Sequence, residues 1–122
     1  MERNKERYLH FIFESKTPVY LKENIILDIV KALPYFEIDG NNQDLFYDSL
    51  CKFIHDNSDY EKKVIIINTD KINLDNQRKL SCMVKDKSYQ TLSIPDNCKI
   101  IVTGNKENMN KELLGLLVAV DV

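Results

Sequence analysis

Lys63-Val64-Ile65-Ile66-Ile67-Asn68 is the stretch on which the reading of this chain turns. Four consecutive β-branched apolar residues stand between a lysine and an asparagine, with no alternation of polar and apolar positions. Such a segment needs cover on both faces, which is the pattern of a central parallel strand under two layers of helices.

Reading outward from it toward the C-terminus, Asn73 or Asp75 can cap a helix carrying Leu80, Met83 and Val84. A polar connection, SYQTLSIPDN over 88–97, leads to a further strand at Lys99–Thr103, KIIVT. Asn108 is a candidate cap for a last helix through Leu113 and Leu114, and 118–122 reads as a final strand. In the other direction, Leu45, Phe46, Ser49, Leu50, Phe53 and Ile54 share one helical face, and that helix gives way to a polar loop over 55–63. Tyr35–Ile38 is a short strand, closed by Asp39-Gly40-Asn41-Asn42, residues that tolerate turn conformations. Before it, Ile25, Ile26, Ile29, Val30 and Leu33 fall on one face of a helix with Asn24 as candidate cap and Pro34 as its stop. Tyr8–Phe13, YLHFIF, is dense in aromatic and apolar residues and is expected to be the first strand, preceded by a solvated arm over 1–7 in which Arg3, Lys5 and Arg7 alternate with acidic residues.

Strands alternating with helices imply right-handed crossovers. The expected fold is therefore α/β: one domain over 1–122, three layers, a five-stranded mostly parallel sheet and helices on both faces.

Composition narrows the function classes. With 17 Lys and Arg against 19 Asp and Glu, the formal charge of -2 supplies no overall field for a phosphate backbone or an anionic lipid surface. Nucleic acid is thus not expected as a direct ligand. The three cysteines, Cys51, Cys82 and Cys98, are far apart and lack CxxC spacing, so each is expected to pack as a small apolar residue rather than in a disulfide or zinc site. His10 and His55 have no second His or Cys at ligand spacing, and no G-x-S-x-G elbow marks a nucleophile. No apolar run is long enough to span a membrane and the charged N-terminus is unlike a signal peptide, so a cytoplasmic location is expected.

The order of elements resembles the minimal core of AAA+ ATPases, a branch of the P-loop NTPases, without the helical lid. The most specific piece is 94–105, IPDNCKIIVTGN, which resembles the sensor-1 strand of MoxR-type and dynein-like members; the resemblance makes Asn105 the sensor. VIIINTDKINLDNQRKL over 64–80 is similar to a Walker B strand with its following helix, and its TDKIN stretch is similar to the delta-prime subunit of clamp loaders. NKELLGLLVAVDV over 110–122 resembles the segment that holds an arginine finger and the last strand.

The departures concern every charged part of the mechanism. A Walker A loop, GxxxxGK with Ser or Thr next, wraps phosphates with backbone N–H groups that only glycines allow. The equivalent stretch over 16–23, KTPVYLKE, has neither glycine; Lys22 keeps its place, Pro18 removes a donor, and Glu23 stands where the hydroxyl belongs. Walker B requires an acidic pair at the strand end, where this chain has Asn68 and Thr69, with Asp70 two residues late. No Arg follows Arg78. The resemblance thus implies a vestigial nucleotide site at Lys22, Glu23, Asn68, Asp70 and Asn105, with no catalytic residue, no metal and no expected cofactor, ATP and magnesium included. The function expected is an inactive AAA+-like scaffold that binds a protein partner or a copy of itself. Two alternatives are weak nucleotide binding with altered chemistry, and a receiver-like signalling domain.

Overall fold

The computed structural model describes every residue except Met1, Lys16, Thr17, Ala32, Asp39, Asn41, Asn42, Glu61, Gln90, Thr91 and 120–122. In chain order the elements are α1 (Glu2–Glu14), β1 (Val19–Tyr20), α2 (Glu23–Val30), β2 (Tyr35–Ile38), α3 (Gln43–Asp56), β3 (Lys63–Asn68), α4 (Leu74–Asp86), β4 (Ser88–Tyr89), β5 (Leu92–Ser93), β6 (Cys98–Thr103), α5 (Lys111–Gly115) and β7 (Val118–Ala119). Single 3-10 turns at Thr69–Lys71 and Lys106–Asn108 follow β3 and β6.

The main sheet runs β2-β3-β6-β1-β7, with all four neighbouring pairs parallel. At its centre β3 and β6 pair over six residues, from Lys63 opposite Cys98 to Asn68 opposite Thr103. All six residues of β3 are buried, as a strand covered on both faces requires. Its alternating side chains divide the core in two. Ile65 and Ile67 face a cluster with Leu50 of α3, Leu80 and Met83 of α4 and Leu113 of α5. Val64 and Ile66 face another with Ile12 of α1 and Ile26 of α2. The molecule is accordingly α/β, with helices on both faces of a mostly parallel sheet.

Three sequence expectations are corrected. Tyr8–Phe13 is helical, part of α1, and the residues 2–7 read as a solvated arm form its first turns. Leu9, Ile12 and Phe13, spaced i, i+3 and i+4, pack toward the second cluster, whereas Arg7, His10, Phe11 and Glu14 are exposed. The first strand is instead Val19–Tyr20, within the stretch 16–23 compared with a Walker A loop; Val19 pairs with Ile101 on one side and Val118 on the other. Asn110, rather than Asn108, caps the last helix: its side-chain oxygen accepts from the N–H groups of Glu112 (2.9 Å) and Leu113 (3.3 Å).

Smaller shifts follow the same logic. α3 extends to Asp56, so His55 and Asp56 are helical rather than in a loop. α2 begins at Glu23 and ends at Val30, four residues before Pro34, with Asn24 inside its first turn. The polar connection after α4 contains the β4–β5 antiparallel pair, Ser88 opposite Ser93 and Tyr89 opposite Leu92. Of the expected last strand, 120–122 lie outside the described residues.

In doubly wound folds of the flavodoxin type, to which receiver domains belong, the first strand lies between the second and third. Here β1 lies between β6 and β7 and touches neither β2 nor β3 in the sheet. That order differs from the flavodoxin-type arrangement of receiver domains.

Candidate functional site

In open parallel sheets ligands bind beyond the carboxyl ends of the strands, and that edge carries all five residues singled out in the sequence. Lys22 and Glu23 follow β1, Asn68 ends β3, Asp70 lies in the turn after it, and Asn105 follows β6.

The β3 and β6 ends are joined directly. Thr69, buried, donates its hydroxyl to the Thr103 carbonyl at 2.9 Å. The Asp70 carboxylate accepts the Asn105 backbone N–H at 2.9 Å and the Asn108 side-chain amide at 3.4 Å. Asn68 accepts the Asp70 N–H at 3.2 Å, and Asn105 accepts the Glu107 N–H at 3.0 Å, each capping the 3-10 turn that follows. Gly104 makes the close approach possible. Its φ of 123° is a conformation open to glycine, and a Cβ there would run into the Thr69 hydroxyl and crowd Asp70.

Beneath these turns lies Gln77 of α4, 1% exposed. Its amide nitrogen is within hydrogen-bond distance of the carbonyls of Thr69 (3.1 Å), Ile72 (2.8 Å) and Asn108 (3.1 Å). Its oxygen accepts the Asn110 N–H at 2.8 Å. One side chain therefore ties the turn after β3 to the turn after β6 and to the start of α5. Sequence reasoning passed over Gln77. The available signal was a polar residue in register with Leu80 and Val84, on the face of α4 that packs inward.

The β1 corner is built differently. Only Leu21 and Lys22 separate β1 from α2. Leu21 donates its N–H to Val102 at 3.1 Å, extending the β1–β6 pairing, and the Lys22 carbonyl accepts from Ile25 (3.0 Å) and Ile26 (3.2 Å) in the first turn of α2. The Lys22 and Glu23 side chains are exposed, and Glu23 sits at a helix N-terminus, where negative charge is favoured. The stretch compared with a Walker A loop therefore contains a strand, and what remains is too short to wrap a phosphate chain. On the other face of β1, Tyr20 donates its hydroxyl to the Gly104 carbonyl at 2.8 Å, and the Lys106 ammonium lies 4.7 Å from its ring centroid.

Between the corner and the joined turns is Thr103, 2% exposed. It shares the parity of Ile101 and is opposite Asn68, which shares the parity of Ile66, so both side chains face the α1 and α2 layer. The Thr103 hydroxyl is buried and has no hydrogen-bond partner among the described residues. Thus the structure brings Asn68, Asp70 and Asn105 together with Thr69, Gly104 and Thr103, while Lys22 lies in the link after β1 and Glu23 at the start of α2.

At the opposite end of the sheet, burial pushes the Cys98 thiol up to about 12, against the pull of the Lys63 ammonium, so it is no nucleophile near neutral pH. Cys51 is half-buried. Cys82 is exposed on α4, contrary to the expectation that all three pack as core residues. Among the described residues no group of three or more His, Cys, Asp or Glu side chains is gathered as a metal site, and no helix is long and apolar enough to cross a membrane.

Comparison with family models, with curated proteins and with solved structures gives no match to this chain.

Proposed function

We propose that this chain is a degenerate AAA+-like module that does not hydrolyse nucleotide and serves as a scaffold or protein-interaction module, bound to a protein partner or to a copy of itself. The observation that carries the reading is the use of the carboxyl edge. Asn68, Asp70 and Asn105, the residues that correspond to Walker B and sensor positions in the resemblance, are engaged with backbone N–H groups, Asn68 and Asn105 within their own turns and Asp70 across to the turn after β6. The two-residue link after β1 supplies no phosphate loop. The test is phosphate release from ATP with magnesium, for the wild type and for Lys22→Ala.

A second reading, weak nucleotide binding with altered chemistry, is favoured by one observation: the buried Thr103 hydroxyl, without a partner among the described residues and one residue beyond Val102, which pairs with Tyr20 at the end of β1. A buried hydroxyl without a partner costs about 1–3 kcal/mol, which a polar occupant would offset. Isothermal titration with ATP, ADP and GTP, with and without magnesium, separates the readings. Heat that is lost in both Lys22→Ala and Thr103→Val supports the second, and silence in every titration supports the first.

A further inference from the structure

We draw no further inference here: the strongest candidate, a small cavity between α1 and α4 at the amino end of β6, carries nothing because its polar rim is satisfied by the chain itself, Lys99 by the Ser15 carbonyl at 3.4 Å and Lys87 by Asp96 at 3.8 Å.

Discussion

The carboxyl edge of the sheet has two halves that handle polar residues in opposite ways. Over β3 and β6, Thr69, Asp70 and Gln77 bond to backbone groups across loops, and Asn68, Asn105 and Asn110 cap the turns and helix that follow them, so polarity there is converted into rigidity. Over β1, a two-residue link leaves Lys22 and Glu23 exposed, and the buried hydroxyl of Thr103 has no partner among the described residues. Chemistry in a site of this kind needs polar groups that are held in place yet free to bind a ligand. One half is held but engaged; the other is free but has no loop to shape it.

The comparison breaks most visibly at Gln77. Gln77→Leu keeps the volume of a buried side chain but strips the carbonyls of Ile72 and Asn108 and the N–H of Asn110 of a partner. Unsatisfied buried groups cost about 1–3 kcal/mol each, and with partial relaxation the variant should lose about 3 kcal/mol in urea unfolding. An unchanged midpoint would show that the joined half is not rigid.

Next in size is an alkaline effect from the opposite end of the sheet. The Cys98 thiol is raised from 9.0 to about 12 in the folded chain, so the folded state holds its proton while the unfolded state releases it. Stability from this group is therefore complete below pH 9 and is lost as pH climbs from 9 toward 12. Between pH 8.5 and 10.5 the wild type should lose about 1–2 kcal/mol more than Cys98→Val, read as the difference in urea midpoints. Parallel pH profiles for the two proteins would contradict the burial argument.

Thr103→Val should change stability with the opposite sign. The swap replaces an unpartnered buried hydroxyl by a methyl of similar shape and should raise stability by about 1 kcal/mol in thermal or urea unfolding. Destabilisation would mean that the hydroxyl has a polar occupant in solution, which sharpens the second reading. The smallest effect is expected at Lys22→Ala, an exposed site outside the joined half, within about 0.5 kcal/mol of the wild type.

How much of this could be read in the sequence follows from segment length. β3 and β6 were legible because six-residue paired strands buried on both faces leave near-continuous apolar runs, VIII and IIV. The inward face of α4 was legible by its period and that of α3 in part, since Ser49, assigned to it, is exposed; of the two caps offered for α4, Asn73 and Asp75, it is Asn73 whose side chain accepts the Asn76 N–H, at 2.8 Å. β1 was not, because two residues cannot display a period and Val19-Tyr20 looks like any loop interrupted by Pro18. That gap left the first-strand role to YLHFIF, whose composition favours a strand although Leu9, Ile12 and Phe13 follow helical spacing. The same error hid the shortness of the β1–α2 link, the feature that weighs most heavily against a phosphate loop. The positions of Asn68, Asp70 and Asn105 at the carboxyl edge were readable from the ends of β3 and β6, whereas those of Lys22 and Glu23 were not, because β1 was missed. Their engagement was not, since the bonds from Asp70 to Asn105 and from Gln77 to Asn108 cross 35 and 31 residues of chain.

The most direct test of the central claim is steady-state phosphate release from ATP with magnesium at protein concentrations high enough to permit self-association. The account predicts no turnover above buffer for the wild type and for Lys22→Ala alike; steady hydrolysis by the wild type that Lys22→Ala abolishes would contradict it, because an engaged edge and a two-residue link leave nothing to catalyse it.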